Sequence, residues 1–306
     1  MLFYTIKRIL QVIPVIIIIS IVVFLLVHLI PGDPVRAMLG LDVDQEVVEA
    51  YRETLGLNDP LHIQYFRYIS GVIKGDLGTS IYTKNSVWSE IQTRYPFTFK
   101  LALLATVSSG FIGAVIGIIA AVWHNKFIDN FLIFISLLSI STPAYFIGLL
   151  LMLFFSLRLG LLPSIGLTSP LHYILPVITL SGNSIGLIAR TTRSAMLDVL
   201  GQDYIRTSKS RGIANSKILF VHALKNALIP VVTVIGLRFG GLLAGATLTE
   251  TVFSIPGMGR FLVNSVLNRD YPAIQGCVLI LAVTFIVINT IIDLLYSWID
   301  PRVKYV

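Results

Sequence analysis

Few side chains in this sequence are arranged for covalent chemistry. His28, His62, His124, His172 and His222 stand far apart, with none of the close spacings that hold a metal. Cys277 is the single cysteine and lies in an apolar run, which excludes an internal disulfide and a cysteine-based metal cluster. No serine, histidine and aspartate stand out as a nucleophilic arrangement. No G-x-x-x-x-G-K-[ST] run occurs, so this chain does not cradle a nucleotide phosphate. The reading is of a non-catalytic chain with no cofactor and no metal; any ATP it uses is hydrolysed by another chain. Two charge features remain to be explained. One is the segment from Arg190 to Lys225, which carries seven basic residues against Asp198 and Asp203. The other is Arg238, which lies inside an apolar run.

The elements that position these charges are set by composition. Of 306 residues, 55% are hydrophobic and 13% charged, and mean hydropathy is +0.84. Soluble domains carry about 25% charged residues, so lipid must cover this apolar surface. The net charge of +7 does not point to nucleic acid, because the basic residues sit in short connections between apolar runs. A helical span needs roughly 20 apolar residues. Six are predicted, at 9–30, 99–123, 131–157, 172–190, 226–249 and 274–298, the fourth interrupted by Ser181, Asn183 and Ser184. The first is too long for a signal peptide and lacks a small-x-small cleavage site, so it is read as retained. Lys7 and Arg8 place the N-terminus in the cytoplasm. The 31–97 segment, with nine acids and six basic residues, belongs outside, and the 191–225 loop belongs inside. Both termini are then cytoplasmic. The expected organisation is a first span within 1–30, an external insertion at 31–97, and a five-span core at 98–306.

The insertion is too long for a simple loop. Val47, Val48, Tyr51 and Leu55 share helical spacing within 43–55, and a second helix is expected over 60–73. It serves either as a packed cap or as a surface that receives a delivery protein.

Within the basic loop, Gly201 to Gly212 has the chemistry of a short helix. Asp203 stands in the first turn and Lys209 and Arg211 in the last, which suits the helix dipole, and Gly212 is placed as a C-terminal cap. Physics leaves two readings: an ordinary positive loop, or a rigid helix that transmits force from a soluble partner. The residues themselves narrow this. Asp203-Tyr204-Ile205-Arg206-Thr207 through Gly212, then His222-Ala223-Leu224-Lys225-Asn226-Ala227-Leu228-Ile229-Pro230, resembles the cytoplasmic coupling loop of ABC importer permeases. The dipeptide/oligopeptide/nickel group, with its glutathione branch, is the most similar. Further matches are Ile30-Pro31-Gly32-Asp33-Pro34, Leu55-Gly56-Leu57 with Asp59-Pro60-Leu61, and Gly75-Asp76-Leu77-Gly78-Thr79-Ser80. Late in the chain are Thr249-Glu250-Thr251-Val252-Phe253, Pro256-Gly257-Met258-Gly259-Arg260, Asn268-Arg269-Asp270-Tyr271-Pro272 and Asp300-Pro301-Arg302. The wider superfamily begins its motif Glu-Ala-Ala, where this chain has Arg206, Thr207 and Ser208, a departure shared with the peptide branch.

The resemblance implies an all-α type I importer permease of the B-type in a bacterial or archaeal inner membrane. It implies pairing with a homologous permease, two ATP-binding subunits and an external solute-binding protein. It also implies Asp203, Tyr204, Arg206, Thr207, Lys209, Arg211 and Gly212 as the ATPase-coupling residues. The expected cargo is a di- or oligopeptide, with glutathione and then chelated nickel as alternatives.

Arg238 lies 13 residues past Lys225, about 20 Å into the membrane at 1.5 Å per residue. It either lines the pathway and attracts a substrate carboxylate, or pairs with a carboxylate on another helix or subunit. Asn183 and Ser184 are further pathway candidates. Gly113/Gly117, Gly182/Gly186, Gly236/Gly240 and Gly241/Gly245 each mark a face for close helix approach. Two rival classes are an ion-coupled secondary transporter, which would need paired midplane ionisable groups and internal repeats, and a non-transporting scaffold.

Overall fold

The computed structural model describes residues 2–29, 34–40, 43–54 and 56–299. Ile30 to Asp33, Leu55 and the Asp300-Pro301-Arg302 match lie outside the described residues. The fold is all-α, and the described residues hold only one isolated antiparallel bridge, Thr79 to Ser86. The helices are α1 (Leu2–Leu29), α2 (Pro34–Leu39), α3 (Gln45–Thr54), α4 (Leu61–Ile73), α5 (Val87–Val122), α6 (Phe127–Ser141), α7 (Ala144–Leu151), α8 (Ile174–Leu200), α9 (Asp203–Ser210), α10 (Asn215–Lys217), α11 (Leu224–Val252), α12 (Met258–Leu267) and α13 (Tyr271–Ile299). π-Helical turns continue α7 over Met152–Arg158 and join α10 to α11 over Ile218–Ala223.

Four helical stretches are long and apolar enough to cross a membrane: Val87–Val122, Pro170–Leu200, Asn215–Val252 and Tyr271–Leu295. Leu10–Leu25 is a shorter apolar stretch within α1. The predicted third span is not continuous. α6 stops at Ser141, and the helix that resumes at Ala144 is bent from it by 102°. Pro143 is the cause: it has no N–H to donate and forces the residue before it out of the α region, so Thr142 is extended at φ −91°, ψ 129°.

The chain divides into two compact units. The first comprises residues 1–98 and 256–286. Its core gathers Val23, Leu77, Val87, Ile91, Met258, Phe261, Ala273, Cys277 and Leu279. α5 begins twelve residues before its predicted start, since the Glu90 carboxylate pairs with Arg94 one turn on, and Arg94 lies 4.4 Å from the centre of the Phe261 ring. Charges so paired do not interrupt the helix. α4 meets α1 through the hydroxyls of Tyr65 and Ser20, 2.8 Å apart, and the Tyr65 ring stands edge-on to Phe24.

The second unit comprises residues 99–255 and 287–306. α8 packs against α6, α7 and α11. It runs ten residues beyond the predicted end of its span, carrying Arg193 into helix.

Candidate functional site

The basic loop folds as its end chemistry requires. α9 spans eight residues with Asp203 in its first turn and Lys209 in its last. Gly212 takes φ +73°, the left-handed conformation that glycine adopts without a Cβ clash. Its N–H donates to the Lys209 carbonyl at 3.0 Å, and the Ile213 N–H donates back to Ser208 at 3.3 Å. This pair of bonds is a Schellman cap, which satisfies carbonyls the helix end leaves open.

One face of α9 is anchored. Ile205 is 0% exposed and packs with Ala121, Ala195, Met196, Ile218, Ala223 and Ala227. Tyr204 reaches the entry to α11, where its hydroxyl accepts a 2.9 Å hydrogen bond from the Asn226 side-chain amide. The opposite face is open: Asp203, Arg206, Thr207, Lys209, Arg211 and Gly212 are exposed or half-exposed. The Asp203–Arg206 pair at 3.7 Å is fully in solvent and adds little stability. α9 is therefore a rigid polar ridge fixed to α8 and α11 by one buried isoleucine and one hydrogen-bonded tyrosine.

The intramembrane candidates separate. Arg238 is half-buried on α11 and has no hydrogen-bond or ion-pair partner among the described residues. Gly241 and Gly245, three and seven positions on, share its stripe, and a Cβ at either would meet nothing within 4 Å. Asn183 belongs to the helix break. With its amide nitrogen turned toward them, it donates to the carbonyls of Ser139 at 2.6 Å and Thr142 at 3.3 Å. Ser139 returns a 2.6 Å bond to the Gly182 carbonyl. Ser184 is buried at 1% exposure. Of the glycine pairs, Gly182/Gly186 seats α6 beside its break, Gly113/Gly117 seats α5 on α8, and Gly236 faces Ile292.

The structural roles of two groups escaped sequence reasoning. Asp129, 1% exposed, accepts bonds from Arg193 at 2.6 and 2.7 Å and from the Asn125 N–H at 2.9 Å. Asp270 is buried, caps α13 through the Ala273 N–H, and accepts from the Ser80 hydroxyl and the Ile81 N–H. An aspartate at the position before a helix was the available signal for the second.

Comparison with known proteins identifies the family. The family model "Binding-protein-dependent transport system inner membrane component" matches residues 113–305, and its N-terminal companion matches residues 1–102. The chain belongs to this family: it is a multi-pass inner-membrane ABC importer permease of the peptide/glutathione group, and not an enzyme. It is 45% identical over 305 residues to the glutathione transport system permease protein GsiC of Salmonella paratyphi A, covering all of both chains. Identity is 44% over the same length to GsiC of Escherichia coli K12. Among solved structures, the MetNI methionine ABC transporter in inward facing conformations superposes with a TM-score of 0.55 at 20% identity, over 66% of this chain and 94% of that one, which supports the fold alone.

Proposed function

We propose that this chain forms half of the pathway of an importer for glutathione. Di- and oligopeptides, the cargo first expected from the sequence, take second place, because the similar full-length permeases carry glutathione in their names. The observation that carries the coupling role is α9: an exposed polar ridge with a buried isoleucine root and a hydrogen bond to the start of α11. Asp203, Tyr204, Arg206, Thr207, Lys209, Arg211 and Gly212 form the ATPase-coupling element. Two ATP-binding subunits dock there, a homologous permease completes the pathway, and an external solute-binding protein delivers cargo. The termini and α9 face the cytoplasm, and the 31–97 insertion faces outward. ATP-driven closure would move α9 and α11 together, and the pathway would switch between two states that differ in their contacts to cargo.

Arg238 lines that pathway. Its charge has no hydrogen-bond or ion-pair partner among the described residues and suits a cargo carrying more carboxylate than ammonium. Asn183 and Ser184 are the further pathway residues in this reading. The test is uptake of labelled glutathione into proteoliposomes holding the permease pair, its ATPase and its binding protein. Glutathione uptake that resists excess dipeptide supports the reading. Uptake abolished by dipeptide or by nickel chelate gives the cargo to those compounds. Arg238→Gln should lower glutathione uptake more than uptake of a neutral peptide; an equal fall removes Arg238 from cargo selection. Reporters fused near residues 60 and 210 must lie on opposite sides of the membrane.

A further inference from the structure

A groove of about 480 Å³ opens between α6 and α8, lined by Ile133, Leu187, Arg190, Thr191, Arg193 and Ser194. Its charges are unequal in availability. Arg193 is held by the Asp129 carboxylate, which accepts from its Nε at 2.6 Å and its Nη2 at 2.7 Å, and the same Nη2 lies 3.0 Å from His124 Nδ1. Arg190 is exposed and has no hydrogen-bond or ion-pair partner among the described residues. Beside it stand the hydroxyls of Thr191 and Ser194, and the remaining wall is aliphatic. The nearest acid along this stripe of α8 is Asp198, one turn beyond Ser194, so an anion is favoured at the Arg190 end.

The depth of the groove is marked by aromatic residues. The turn between α5 and α6 is bonded to Arg193 through His124 and, by way of Asp129, through the Asn125 N–H. In that turn the Lys126 ammonium lies 5.0 Å from the Trp123 ring centre. Phe127, 81% exposed, stacks on exposed Phe131 at 6.0 Å. An exposed Trp with a lysine beside it is the composition of a membrane–water boundary. A groove at that level offers a cation and hydroxyls on one side and aliphatic wall on the other, which matches a phosphate with an acyl chain attached.

We propose that the α6–α8 groove binds one anionic phospholipid, its phosphate on Arg190, Thr191 and Ser194 and an acyl chain along Ile133 and Leu187. Basic pockets between spanning helices recognise such headgroups through charge-assisted hydrogen bonds. This inference needs only the membrane setting and is independent of the cargo.

Native mass spectrometry of the assembled transporter tests it, with phosphatidylglycerol and phosphatidylcholine offered at equal concentration. The wild type should retain phosphatidylglycerol preferentially. Arg190→Gln should lower that retention about fivefold, the effect of one basic residue at a lipid surface. Arg190→Lys should keep most of it, and Arg158→Gln, at an exposed arginine elsewhere, should change nothing. Because Arg190 has no hydrogen bond or ion pair among the described residues to lose, unaltered melting of the variant separates a binding effect from misfolding. Equal retention by Arg190→Gln overturns the proposal. So does displacement of the lipid by inorganic phosphate at the same concentration, which marks a free-anion site. Loss of the ATPase subunit with lipid retention intact also overturns it, and makes Arg190 a protein contact.

Discussion

Tyr204 and Asn226 are 22 positions apart and joined by a 2.9 Å hydrogen bond, which ties the exposed ridge of α9 to the first turn of α11. The tie is short and the path between its ends passes through a π-helical segment, Ile218–Ala223, whose wider turns are less regular than α-helix. Tyr204→Phe and Asn226→Ala should each lower cargo moved per ATP by about fivefold, the factor for a hydrogen bond of about 1 kcal/mol. The double variant should do no further harm. Additive losses in proteoliposome uptake against phosphate release would show that the two residues act separately.

The Gly212 cap predicts a graded series. Gly212→Ala places a Cβ in the left-handed region and should cost about 1 kcal/mol, while Gly212→Asn should cost less. Co-purification of the ATPase subunit should weaken in the same order. Equal retention across glycine, asparagine and alanine would show that the cap does not hold the docking surface.

Asp129 carries a buried charge with Arg193 as its chief partner. Asp129→Leu alone should destabilise the chain by about 3 kcal/mol, because it strands the guanidinium. Combining it with Arg193→Met should restore most of the loss. Thermal unfolding in detergent reads both; a double variant no better than the single would show that the pair matters for more than charge balance.

Two glycines on different helices should behave oppositely. A Cβ at Gly186 would collide with the Ser136 carbonyl, so Gly186→Leu should prevent α6 from seating on α8 and lower the melting temperature. Gly241 has open space around it, so Gly241→Leu should leave the melting of the isolated chain unchanged. If that stripe meets the second permease, the same change should reduce heterodimer yield. Unchanged yield would place the stripe against lipid.

Asp270 should matter to folding more than its exposed neighbour Arg269. Asp270→Ala removes a helix cap and the acceptor for Ser80 and Ile81, a loss of about 2 kcal/mol or more. Ser80→Ala should reproduce only part of it in the same unfolding measurement.

α9 was legible because its ends are local. An aspartate at one end, basic residues at the other and a glycine beyond define a helix without reference to the rest of the fold. Ile205 as its root was not legible, since a lone isoleucine in a polar octet is as readily a surface residue. The break at Pro143 was hidden by the apolar residues on both sides, which read as one span; the residues that stabilise it, Asn183 and Ser139, lie on different helices. Arg238 shows a different limit. Its depth follows from counting residues, whereas the lack of a partner among the described residues emerges only when the neighbouring helices are in place.

The break in the third span also has a consequence in time. α6 has 15 residues and the piece after Pro143 is no longer, so neither crosses a bilayer unaided. The groups that receive their freed carbonyls are on α8, and the Ser139–Gly182 bond joins residues 43 positions apart. At ribosomal rates of roughly 5–20 residues per second, α6 waits roughly 2–9 s for its partner to be synthesised. During that interval the α8 groups that bond its end are not yet present. Biogenesis of this chain thus has a sequential dependency: the fourth span must arrive before the third is finished.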